Sequence, residues 1–316
     1  MNRTRCRVLL LAALLGLCGT PAMAQERLTV LLDWFVNPDH GPLIVAQEKG
    51  MFEAAGLDIT LVEPADPSLP PKLVAAGKAE LAISYQPQLH MLVGEGLPLV
   101  RVATLVATPL NSLVALKDGP VQQIADLKGR KVGYSVGGFE DALLGRMLET
   151  HGLTLKDVEL INVNFALSPA LMSGQVDAVI GAFRNFELNQ LDLEKRPGRA
   201  FYPEEEGVPA YDELIVVTNA KLLKSGAIAR FVRVLEAATQ YIVNHPDEAW
   251  EAFRASAPKK LDDELNRRAW RDTVARFALR PAALDRGRYA RFGAFLKERG
   301  LVKTLPALET YAVELE

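Results

Sequence analysis

Cysteine is almost absent: the 316 residues hold two, Cys6 and Cys18, and none follows position 18. The body of the chain therefore has no disulfide, no thiolate nucleophile and no zinc–thiolate site. Histidine is scarce as well. His90, His151 and His245 fall in helical or capping contexts that suit structural or solvent-facing roles. Only His40 sits in a loop among polar neighbours, Asp33, Asn37 and Asp39, and that set is too thin to specify a metal. No charge of one sign dominates, because 36 Lys and Arg face 39 Asp and Glu. The basic residues are also scattered, so a nucleic-acid partner has little electrostatic support and none is expected. There is no G-x-S-x-G elbow, no Walker A loop, no H-E-x-x-H and no G-x-G-x-x-G. No enzyme chemistry and no cofactor is expected from such a chain.

Long apolar runs are missing too. The run from Val8 to Leu17 spans ten residues, too short to cross roughly 30 Å of hydrocarbon as a helix. Arg3, Arg5 and Arg7 precede it, and Ala22-Met23-Ala24 follows Pro21. A basic start, a short apolar run and a small-x-small end are the marks of a secretory signal. Cleavage is expected after Ala24, giving a periplasmic protein that begins at Gln25. Lipid attachment at Cys18 is opposed by the bulky Leu17 before it. Residues 1–24 carry three arginines and no acid, so their removal takes the net charge from -3 to -6.

What is present is an alternation of short apolar strands and helices. Strands are expected at 28–32, 57–62, 81–83 and 99–106, with helices at 42–49, 68–76 and 88–93 between them. The same order repeats after residue 110, with strands at 131–134, 158–162 and 176–180 and helices at 141–150, 168–172 and 186–191. This spacing points to α/β units with mostly parallel sheets. From Ile228 to Ile242 the apolar residues 228, 231, 235, 238 and 242 form a helical stripe. Two β-prone runs, Ser112–Leu116 and Leu214–Val217, stand where the blocks meet and are expected to be crossings. One lobe would then be inserted in the other: residues 25–110 with 215–316 outside, and 111–214 inside. A single continuous α/β domain is the alternative.

Aromatic and amide residues recur at the expected strand ends. Trp34 and Phe35 follow the first strand, and Tyr85 and Gln86 the third. Tyr134 and Ser135 close the first inner strand, and Phe183, Asn185 and Glu187 come after 176–180. In an open α/β sheet those ends border the ligand crevice. Aromatic faces there can stack on a flat ring, while the amides and the carboxylate direct hydrogen bonds. The turn Gly137-Gly138 before a helix suits a polar ligand atom held by backbone N–H groups. Glu187 has a second reading, as a carboxylate at a helix start.

Three segments carry a family resemblance. The stretch from Leu32 to Gly41, LDWFVNPDHG, together with Ile83-Ser84-Tyr85-Gln86-Pro87 and the stretch from Gly181 to Glu187, GAFRNFE, resembles proteins that bind thiamine pyrimidine precursors. These are periplasmic solute-binding proteins of ABC importers, related to eukaryotic pyrimidine-precursor synthases. The resemblance runs from about residue 28 to about 255. It implies a two-lobed periplasmic-binding-protein fold of type II with the ligand cleft between lobes, a membrane permease as partner and a monomeric receptor. It further implies that Trp34 stacks on the pyrimidine and that Glu187 accepts from its amine. The ligand would be a hydroxymethyl-, aminomethyl- or formylaminomethyl-pyrimidine, contacted also by Asn37, His40, Tyr85, Gln86, Tyr134, Ser135, Gly137, Gly138, Phe183 and Asn185. Arg184 stands where the resemblance leads one to expect an aromatic; it could offset Glu187 or reach a ligand tail. Riboflavin or another flat heterocycle, or a small sulfonate, nitrate or aromatic acid, are the alternative ligands. The synthases carry a cysteine cluster, which this chain lacks.

Overall fold

The structure is a computed structural model and describes residues 25–315. The expected signal segment and cleavage site, with Cys18, lie outside the described residues. Four strands, β1 (Glu26–Leu31), β2 (Leu57–Val62), β3 (Leu81–Ser84) and β4 (Leu99–Val106), open the first lobe. The chain then crosses and builds β5 (Asn111–Leu116), β6 (Lys131–Tyr134), β7 (Glu159–Asn162), β8 (Ala178–Phe183) and β9 (Gly198–Phe201). It returns as β10 (Leu214–Asn219). The sheets are ordered β2-β1-β3-β10-β4 and β7-β6-β8-β5-β9. The two-lobed α/β fold is the one that the family resemblance implied.

Two expectations need correction. The runs at 112–116 and 214–217 are not connectors but the fully buried strands β5 and β10. Each enters its sheet antiparallel to both neighbours, β10 between β3 and β4, β5 between β8 and β9. The sheets are therefore mixed, and only β1 with β2 and β3, and β6 with β7 and β8, run parallel. Hydrophobic patterning reports burial on both faces but not strand direction. The true crossings are 107–110 and 202–213. Glu213 joins them, because its Oε2 accepts the N–H groups of Leu110 (2.6 Å) and Asn111 (2.8 Å).

The outer lobe is stiffened by helix Gly226–Asn244, whose expected stripe is buried throughout. Phe231 from that stripe stacks on Phe52 at 5.4 Å and 10°. Burial of such side chains stabilises by about 1.5–3 kcal/mol each. This rigid base fixes the carboxyl ends of β1 and β3 opposite those of β6 and β8.

Candidate functional site

The loop after β1 is braced from within. Pro38–His40 forms a 3-10 turn, and Asn37 Oδ1 accepts the N–H of Asp39 at 2.8 Å. The Asn37 N–H donates to His40 Nδ1 at 3.3 Å. That leaves Nε2 to carry the ring proton and donate to Asp33 Oδ1 at 2.9 Å. Asp33 Oδ2 accepts from the Tyr85 hydroxyl at 2.8 Å. One buried carboxylate thus locks the β1 loop to the end of β3. His40 is wholly buried behind this brace and does not reach the cleft.

Across the cleft, helix Phe139–Thr150 follows β6 through a glycine turn. Glu140 folds back, and its Oε2 accepts the N–H groups of Ser135 (2.8 Å) and Val136 (3.0 Å). Asp141 takes the Gly138 N–H at 3.1 Å. The turn is filled by the chain's own carboxylates. Phe183 ends β8 rather than following it, and its N–H donates to Glu187 Oε2 at 2.7 Å. Glu187 is also the first residue of helix Glu187–Leu193, so part of its role is local bracing.

Between these walls runs a cavity lined by Asp33, Trp34, Asn37, Asp39 and Tyr85 from one lobe. Phe139, Glu140, Leu167, Gly181, Phe183, Phe186 and Glu187 line it from the other. About 460 Å³ of atom-free space lies here, mouth included, and little of it is wider than a water molecule. The space is a slot rather than a chamber. Its rim is closed by contacts between the lobes. Trp34 meets Phe165 edge-on at 4.7 Å, and Asn185 Nδ2 donates to Asp39 Oδ1 (2.6 Å) and Thr273 Oγ1 (2.7 Å).

The slot has four carboxyl groups and no lysine or arginine on its wall. Arg184 points elsewhere: it pairs with Glu204 at 2.6 Å, donates to the Asn111 carbonyl at 3.1 Å and lies over the Tyr202 ring. It neither offsets Glu187 nor lines the slot. Burial raises three of these acids, Glu140 and Glu187 to about 8 and Asp39 to about 6. Asp39 Oδ2 is buried without a partner.

Of the residues expected at the site, Trp34, Asn37, Tyr85, Phe183 and Glu187 line the slot. His40, Gln86, Tyr134, Ser135, Gly137, Gly138 and Asn185 do not. Gln86 turns away, and its Oε1 accepts the Asp212 N–H at 2.8 Å. Ser135 Oγ donates to the Asn164 carbonyl. Asp33, Asp39 and Glu140 went unrecognised as lining residues. The acids of the β1 loop were legible only as neighbours of His40, and Glu140 as an ordinary first-turn acid.

Asp39, Glu140 and Glu187 give a stability prediction. Their folded pKa values lie above the ordinary carboxylate range, so from roughly pH 5 to 8 the folded chain holds protons that the unfolded chain has released. Stability of the ligand-free protein should fall as pH rises through that window. Each acid contributes a slope of up to about 1.4 kcal/mol per pH unit. Urea titrations at pH 5.5 and 8 check this, and a midpoint that rises with pH contradicts it.

The NMT1/THI5-like family matches residues 37–249. This chain belongs to that family. A Haemophilus influenzae protein named for thiamine biosynthesis is 56% identical, with 94% of each chain covered. A formylaminopyrimidine-binding protein of Halalkalibacterium halodurans is 38% identical over 72% of this chain and 69% of its own. In fold, the NMT1/THI5-like chain is similar to an alkanesulfonate-binding protein of Xanthomonas axonopodis solved with MOPS. The TM-score is 0.70 at 17% identity, covering 92% of this chain and 96% of the other.

Proposed function

We propose that this protein is the exported substrate-binding subunit of an ABC importer for a thiamine pyrimidine precursor, a hydroxymethyl-, aminomethyl- or formylaminomethyl-pyrimidine. The observation that carries this reading is the slot itself: aromatic walls, four carboxyl groups and no cation. A neutral flat ring gains from the faces of Trp34, Tyr85 and Phe183. A buried protonated carboxyl offers a donor and an acceptor side by side. The edge of an aminopyrimidine, with an amine next to a ring nitrogen, is its complement, and Glu187 is the residue to read it. A sulfonate or nitrate would enter a wall of acids with no base to pair it. The pyrimidine-binding relative supports the ligand class. The protein's task is capture and delivery to a membrane permease, without chemistry on the ligand. Export with cleavage after Ala24 belongs to this reading, and N-terminal sequencing of the periplasmic form should begin at Gln25.

Trp34 gives a direct test. It is one of three tryptophans, and Trp250 and Trp270 lie buried away from the slot. Hydroxymethyl-pyrimidine should change the fluorescence of wild type. Trp34→Ala should abolish that change and weaken binding by about 1–3 kcal/mol, from lost stacking and area. Unaltered affinity in a folded Trp34→Ala protein places the ligand elsewhere.

A further inference from the structure

The turn between β6 and helix Phe139–Thr150 has the makings of an oxyanion site. It offers clustered backbone N–H groups at the positive end of a twelve-residue helix. In this chain a second feature occupies it. Glu140 is buried, lines the slot, and covers the N–H groups of Ser135 and Val136 with one carboxyl oxygen. The neighbouring strand β8 leaves room for that carboxyl. Gly181, at φ +100°, lies so close that a Cβ there would stand 2.5 Å from Glu140 Oε1. No side chain at 181 is compatible with Glu140 where it is, so the two positions fit as a pair.

We infer that Glu140 is a specificity-determining residue, an internal carboxyl that fills the N–H pair a sulfonate or phosphate would need and so excludes oxyanionic ligands from the slot. The inference rests on the neutral-heterocycle reading above and gives it a mechanism. Rejection comes from two sources. The donors are already satisfied, and an entering oxyanion would face the Glu140 carboxyl with no nearby cation. Selection of a pyrimidine is then achieved by closing the site to its competitors as well as by contacts to the ring.

The experiment is calorimetry on the mature full chain with methanesulfonate, inorganic phosphate and hydroxymethyl-pyrimidine, using wild type, Glu140→Ala and Glu140→Gln. Circular dichroism confirms folding of each. Wild type should give no heat with either oxyanion. Glu140→Ala uncovers the two N–H groups beside the slot and should bind methanesulfonate at least about tenfold more tightly than wild type, as charge-assisted bonds form. Glu140→Gln keeps an acceptor oxygen on the N–H pair, so its oxyanion affinity should stay absent. This variant preserves shape and reads out even where the alanine variant folds poorly. Oxyanion binding by wild type or by Glu140→Gln overturns the inference, as does a folded Glu140→Ala that gains none. Failure of wild type to bind the pyrimidine would count against the proposed function instead, and the oxyanion measurements do not depend on it.

Discussion

Glu187→Ala should lower affinity for hydroxymethyl-pyrimidine by about 10- to 100-fold, the cost of a lost hydrogen-bonding pair and an unpaired N–H. Glu187→Gln should lose no more than about threefold, because the amide retains an acceptor and a donor of similar strength. The contrast follows from burial. The Glu187 carboxyl accepts the Phe183 N–H and is raised to about 8, so near neutral pH it stays protonated. An amide reproduces that state: its oxygen can keep the Phe183 bond while its nitrogen donates into the slot. The family resemblance alone pointed to an ionised acceptor, for which the amide would be a poor substitute. Calorimetry on both variants separates these cases. Equal losses for Gln and Ala would show that charge, not shape, is read. A drop in melting temperature without loss of affinity would leave Glu187 as a helix-start brace only.

The second large effect is on stability. Asp33→Ala should destabilise the protein by about 2–5 kcal/mol, since two buried donors lose their acceptor at once. The two are His40 Nε2–H and the Tyr85 hydroxyl, and both side chains are buried. Asp33→Asn keeps the shape and one acceptor and should cost less than half as much. Urea unfolding of the three proteins checks the order. Similar stability for Asp33→Ala and wild type would mean that the β1 loop is held by its capping turn alone.

Much of this architecture is legible in the sequence. The strands at 57–62, 99–106 and 131–134 fall where the apolar runs end in Gly, Pro or polar turns. The stripe of helix Gly226–Asn244 was equally plain. Strand direction was not, because β5 and β10 are buried on both faces and such runs look the same in either direction. The site divides along similar lines. Aromatics at strand ends, Trp34 and Tyr85, face the slot as their positions suggested. Polar neighbours one or two residues away do not, since the chain turns and points them at backbone: Gln86 to Asp212, Ser135 to Asn164. Which polar group faces a ligand and which braces a loop depends on partners far along the chain. Asn185 is tied to Asp39 and Thr273, 146 and 88 residues distant. No local pattern announces such pairs.

On the proposed function, a slot lined by acids, without a cation, selects a neutral aminopyrimidine over an oxyanion. The most direct test is calorimetric titration of the wild-type mature protein with hydroxymethyl-pyrimidine and with an alkanesulfonate, side by side in one buffer at neutral pH. Saturable one-to-one binding of the pyrimidine and no heat from the sulfonate are expected. Saturable sulfonate binding with none of the pyrimidine would contradict it.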